Sequence, residues 1–119
     1  MNAPTVERED KYLKINEFCL TSGQQIQSEH FYSQCFSGAK IAKNCYQGVV
    51  FANCDFFATH FESNRFVNCH FVNCRFSFSH LKENIFENCH FSANEGLAFT
   101  LSQNVWLHCS APLIYQENT

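Results

Sequence analysis

The chain has 119 residues, with 8 basic and 11 acidic side chains, a formal charge of −3, and 8 cysteines. That length makes one domain, and basic residues that neither cluster nor outnumber the acids exclude a positively charged nucleic-acid binder. There is no N-terminal apolar segment of signal type and no apolar run long enough to span a bilayer, so a cytoplasmic protein without a membrane partner is expected.

Residues 1–23 carry the acidic cluster Glu7, Glu9, Asp10 and two apolar residues, Leu13 and Phe18, that lie off the pattern that follows. They are expected to form an N-terminal cap, through a short helix begun at Pro4 and Thr5 or a strand through Leu13 and Ile15. From Ile26 a large residue recurs at every fifth position: Phe31, Phe36, Ile41, Tyr46, Phe51, Phe56, Phe61, Phe66, Phe71, Phe76, Leu81, Phe86, Phe91, Gly96, Leu101 and Trp106. Only Gly96 breaks this comb. A period of five suits neither a helix nor a strand alone, so the chain must turn regularly, each pentamer making one short side of a solenoid with its large residue inward.

A second period sets the number of sides. Two positions before the comb residue stand Asn44, Asn64, Asn84 and Asn104, spaced by twenty. Four pentamers per coil would stack these amides at strand spacing, about 4.8 Å, as a ladder of the kind that stabilises such geometry. Cys69, Cys89 and Cys109 share one column at the same offset, and Cys54 and Cys74 another, beside the compact Ala39, Val49, Thr59 and Ser79. This offset is an inward slot for small residues, which makes its cysteines reduced core thiols rather than disulfides or zinc ligands. Cys19, Cys35 and Cys45 lie outside the core thiol columns, where exposure is expected.

Immediately before the comb residues come Asp55, His60, Arg65, His70, Arg75, His80, His90 and Glu95, a polar series expected to face water. Asp55, Arg75 and Glu95 should stack with alternating sign, and Glu62 should lie beside Lys82. His60 over His80 and His70 over His90 should form two-member columns with no third ligand, so no metal site is expected. At the C-terminal end Trp106, Leu107, Leu113, Ile114 and Tyr115 make an apolar finish over the tail at 112–119, either a plug on the last coil or a homodimer contact.

The runs Cys54-Asp55-Phe56, Cys69-His70-Phe71, Cys74-Arg75-Phe76 and Cys89-His90-Phe91 resemble the motif of the pentapeptide-repeat proteins: a small residue, Asp or Asn, then Leu or Phe, then two polar residues. The resemblance covers about 24–111 and implies an all-β, right-handed, four-sided β-helix of about four coils. The chain departs from the motif in rarely placing Asp or Asn before the comb residue, with Asp55 the one clear case. Some members of that family imitate duplex DNA and bind DNA gyrase, and others are delivered as effectors. Between 24 and 111 five basic residues (Lys40, Lys43, Arg65, Arg75, Lys82) face six acidic ones (Glu29, Asp55, Glu62, Glu83, Glu87, Glu95), too little negative charge for duplex mimicry.

A coil filled by a large residue from each side leaves no concave pocket, and no catalytic motif occurs, so neither an enzyme nor a cofactor is expected. The expected function is therefore a protein-binding or scaffold module with an unidentified protein partner; a gyrase-binding DNA mimic and a secreted effector or immunity-like protein are the alternatives. Exposed large residues would mark its contact face. Phe57 and Phe78 follow their comb residues by one and two positions on one side, and Leu97 continues the column of Phe57. Phe99 occupies a small-residue slot, where it must distort its coil or protrude, and with Gly96 it makes 94–100 the expected irregularity.

Overall fold

The computed structural model describes residues 23–110. The expected cap and tail lie outside the described residues, apart from Gly23. Thirteen three-residue strands follow one another without a helix among the described residues. The first coil holds β1 (Gln25–Gln27) and β2 (His30–Tyr32). The next holds β3 (Lys40–Ala42), β4 (Cys45–Gln47) and β5 (Val50–Ala52), followed by β6 (His60–Glu62), β7 (Arg65–Val67) and β8 (His70–Val72). Then come β9 (His80–Lys82), β10 (Ile85–Glu87) and β11 (His90–Ser92), and last β12 (Thr100–Ser102) and β13 (Val105–Leu107).

Each strand pairs in parallel with the strand one coil away, giving three sheets in the orders β1-β4-β7-β10-β13, β2-β5-β8-β11 and β3-β6-β9-β12. Comb residues face comb residues, as in Tyr46 with Phe66 and Phe51 with Phe71. A fourth column has no extended strand, only single parallel pairings of Cys35 with Asp55, Asp55 with Arg75 and Arg75 with Glu95. Every coil is thus a β-solenoid turn with four pairing columns, the arrangement the twenty-residue spacing predicts.

The comb is the core. From Ile26 to Phe91 every comb residue is buried. Three columns are aromatic stacks: Tyr46–Phe66–Phe86–Trp106 with centroids 4.8, 4.9 and 4.3 Å apart, Phe51–Phe71–Phe91 at 4.9 and 5.2 Å, and Phe36–Phe56–Phe76 at 5.0 and 5.1 Å. Strand spacing sets those distances, and offset parallel rings fit it. The remaining comb column, Ile41, Phe61, Leu81 and Leu101 on β3, β6, β9 and β12, is mostly aliphatic.

The slot two residues before the comb does more than fill space. From Cys54 on, where it holds asparagine, threonine or cysteine, the side chain donates a hydrogen bond to the carbonyl of the comb residue in the preceding coil, whereas Ser79 donates to Phe76 O of its own coil. Thr59 reaches Phe36 O at 2.8 Å, Asn64 reaches Ile41 O at 2.7 Å and Asn94 reaches Phe71 O at 2.9 Å. Asn84 and Asn104 do the same to Phe61 and Leu81. The thiols of Cys54, Cys69, Cys74, Cys89 and Cys109 do so at 3.2–3.5 Å. Asparagine adds a second function, because its Oδ1 accepts the N–H of the residue stacked one coil before: Asn44 to Asn64, Asn64 to Asn84 and Asn84 to Asn104, all at 2.9 Å. Asn94 serves Cys74 in the same way at 2.8 Å. Cysteine and asparagine therefore share the slot because both are compact donors that meet an interior carbonyl.

The turns were not foreseen. Two residues after every comb position the backbone is left-handed, at Gly23, Ser28, Ser33, Gly38 and Lys43 and on without a gap to Ala98, Gln103 and His108. In the fourth column these bends are closed by hydrogen bonds, Ala39 N to Phe36 O at 3.0 Å, Thr59 N to Phe56 O at 3.3 Å and Ser79 N to Phe76 O at 3.1 Å. A positive φ at the third position is the signature of a type II turn.

Phe99 corrects an expectation. It does not protrude: it is 2% exposed and belongs to the core, and the distortion is confined to the turn, where residues 97–98 form an open bend in place of the hydrogen-bonded turn of the earlier coils. The comb residue of that pentamer is Gly96, which has no side chain to place at the centre, and the ring in the next inward slot is buried in the core. The backbone around it keeps register, with Phe76 N on Glu95 O at 2.7 Å, Phe78 N on Leu97 O at 2.9 Å and Thr100 N on Ser79 O at 3.0 Å.

Candidate protein-contact face

The fourth column carries the expected contact residues, and the structure brings Phe57 and Phe78 together there. Phe57 follows the single pairing residue Asp55, and its coil neighbour Arg75 lies across it, the guanidinium carbon 4.6 Å from the ring centroid. Arg75 is held from the other side by Asp55, with Nη1 3.6 Å from Oδ2. Asp55 Oδ1 in turn accepts the Phe57 N–H at 3.0 Å, fixing the carboxylate to its own turn. Both charged groups are partly exposed, so the ion pair contributes well under 1 kcal/mol and chiefly orients the arginine.

Phe78 meets Phe57 edge to face at 5.4 Å. It is 48% exposed and stands at φ 60°, a conformation a bulky residue adopts at a cost of about 1–2 kcal/mol. Leu97, one coil on, is 66% exposed, and its carbonyl accepts the Phe78 N–H. Phe57 itself is half-buried, under Arg75 on one side and against Phe78 on the other. Phe99 is not part of this face.

The other outward columns divide as expected in register but not in pairing. Glu62 lies opposite Lys82. Among the described residues, however, the ion pairs are Arg75–Asp55 and a diagonal Arg65–Glu87 contact at 3.1 Å. Parallel pairing sets Arg65 opposite Ile85, and Glu87 two residues on is within reach of its long side chain. His60 and His80 stack with centroids 4.8 Å apart, His70 and His90 lie at the same separation but tilted, and among the described residues no three of His, Cys, Asp and Glu converge to hold a metal. The described cysteines are all free; Cys35 and Cys45 are half-buried, and Cys19 lies outside the described residues.

No protein-family model matches the chain, and no curated protein does. Among solved structures it is similar to a trypsin-treated variant of QnrB1, described as a plasmid-mediated fluoroquinolone resistance protein, at 15% identity over 74% of this chain and 67% of that one, with a TM-score of 0.31. At that level the likeness adds no detail to any residue. The chain's own architecture carries the resemblance: an inward residue at every fifth position, parallel pairing at every twentieth across four columns, and one left-handed residue closing each pentamer make it a parallel β-solenoid whose periodicity fits the pentapeptide-repeat family.

Proposed function

We propose that the chain is a non-enzymatic protein-binding module whose contact face is the cluster of Phe57, Arg75, Phe78 and Leu97. The observation that carries this reading is Phe78, an aromatic ring kept half exposed at a backbone position it disfavours. Stability gives no reason for it, since the same turn position elsewhere holds glycine, alanine or a polar residue and never another large apolar side chain. Aromatic residues and arginine dominate the energetics of protein contacts. Arg75 is already immobilised by Asp55 and Phe57, so less conformational freedom is lost when a partner covers it.

The interior supports a binding role over catalysis, because stacked rings at strand spacing occupy the space where a substrate pocket would be. The alternation Asp55, Arg75, Glu95 favours a protein partner over mimicry of a uniformly negative duplex. The reading takes the coil as right-handed, the hand that parallel crossovers favour, and the protein as cytoplasmic. A homodimer through the C-terminal end belongs to the same reading, since Leu101 and Trp106 are the large comb residues left half-buried.

The test compares the full chain with Phe78→Asn, Phe57→Ala and Leu97→Ser as baits in a host lysate, with His70→Ala as an off-face control. A specific protein retained by the parent and the control, and reduced at least about tenfold on the three face variants, supports the assignment. Equal recovery on all baits removes this face from consideration. If the parent retains nothing, the binding reading fails.

A further inference from the structure

The third sheet carries a second outward feature that the contact face does not use. His60 on β6 and His80 on β9 are in direct register, both exposed, with rings 4.8 Å apart and inclined by only 23°. His80 is also oriented: its Nδ1 lies 2.6 Å from Thr100 Oγ1 on β12. Bonding at Nδ1 leaves Nε2 as the ring atom directed away from the protein, the arrangement by which a neighbouring hydroxyl or carbonyl holds a ligating imidazole. The His70 and His90 rings on the second sheet have the same centroid separation but are inclined by 55°.

We infer that His60 and His80 form a two-nitrogen site for a borderline divalent transition-metal ion of the Ni2+, Cu2+ or Zn2+ type. Metal–imidazole bonds of about 2.0–2.1 Å place two nitrogens about 3–3.4 Å apart around one ion, and because each lone pair lies in its ring plane, both stacked rings must turn about their side-chain torsions to converge on it. Imidazole nitrogen selects these ions over Mg2+ and Ca2+, which take oxygen ligands. Lys40 and Lys82 border the pair, and Glu62 beside His60 offsets part of their charge. With two protein ligands the ion keeps open positions for water, or for a donor group on a partner docked against this sheet. The site is independent of the face around Phe78, which lies on another column.

The experiment is calorimetric titration of Ni2+ into the reduced full chain, followed by absorption spectra of the loaded protein. One saturable site per chain is expected, weakened at least about tenfold in His60→Ala and in His80→Ala, weakened less in Thr100→Val, and unchanged in His70→Ala/His90→Ala. Circular dichroism of each variant confirms that the coil is intact. Failure of the parent to saturate overturns the inference. So does unaltered binding in His60→Ala/His80→Ala, or a thiolate-to-nickel charge-transfer band marking cysteine as the ligand.

Discussion

Asn64 joins three coils: its Oδ1 accepts the Asn44 N–H at 2.9 Å, its Nδ2 donates to Ile41 O at 2.7 Å, and its backbone N–H is received by Asn84 Oδ1 at 2.9 Å. All of this occurs at a site 2% exposed. Replacing Asn64 with Ala or Leu strands a buried donor and a buried acceptor, each costing about 1–3 kcal/mol. The loss in unfolding free energy for Asn64→Leu should therefore be about 2–6 kcal/mol by urea denaturation. Asn104→Leu, at a half-buried position nearer the end, should lose clearly less. Equal losses at the two positions would mean that the ladder does not carry the cost.

The stacked comb makes a larger prediction. Phe66 lies between Tyr46 and Phe86 at 4.8 and 4.9 Å and is 1% exposed. Phe66→Ala should cost about 3–5 kcal/mol, much of a small domain's stability. Phe66→Asp should abolish the cooperative thermal transition, whereas Phe78→Asn should leave it unchanged or raise the midpoint by relieving the left-handed ring. Differential scanning calorimetry on the three variants separates inward from outward positions.

Gly96 and Phe99 should behave as one unit. If the Phe99 ring occupies volume that Gly96 vacates, Phe99→Ala alone opens a cavity and Gly96→Leu alone overpacks the coil. Gly96→Leu/Phe99→Ala should then be more stable than the two single losses add up to, by at least about 1 kcal/mol. Additive losses in the double-mutant cycle would show that the two sites do not share space.

The thiol columns make stability fall in alkali. The neighbouring Cys54 thiol and burial push Cys74 well above its ordinary range, and Cys69 and burial do the same to Cys89. The same contacts lower Cys54 and Cys69, so each pair retains one proton after the unfolded chain has lost both. A raised acid contributes fully below the unfolded thiol value of about 8.5. Above it the contribution is lost as pH rises, at about 1.4 kcal/mol per pH unit for each retained proton. Because the lowered Cys54 and Cys69 add stability up to the unfolded thiol value, the net loss begins above it: urea midpoints measured from about pH 9 to 10.5 should drop for the parent and far less for a variant with alanine at Cys54, Cys69, Cys74 and Cys89. Parallel drops would assign the effect to other groups.

Much of this fold was legible because one number, five, excludes both regular elements and leaves only a turning chain. The pairing of Asn44 with Asn64 and of His60 with His80 followed from spacing alone, since parallel register is rigid once the coil length is known. The left-handed turns were equally periodic, and Asn53, Asn68, Asn73 and Asn88 with Gly23, Gly38 and Gly48 at one offset were the signal that could have found them. Phe99 was misread because a slot was judged by size without its neighbour. The seating of Arg75 over Phe57 lay beyond sequence reasoning, since it depends on rotamers rather than on register.

The hydrogen bonds from the asparagine, cysteine and threonine slots to the coil before them impose a unit of length on any insertion. Five extra residues would keep every large side chain inward, yet they would rotate all later pentamers by a quarter turn and set an asparagine above a cysteine. Twenty would pass unnoticed by the core. The surface is less forgiving, because Phe57, Arg75, Phe78 and Leu97 meet only when their coils share one phase. A lineage of such chains could thus shed its binding patch through a single pentamer gained or lost while its interior stayed sound.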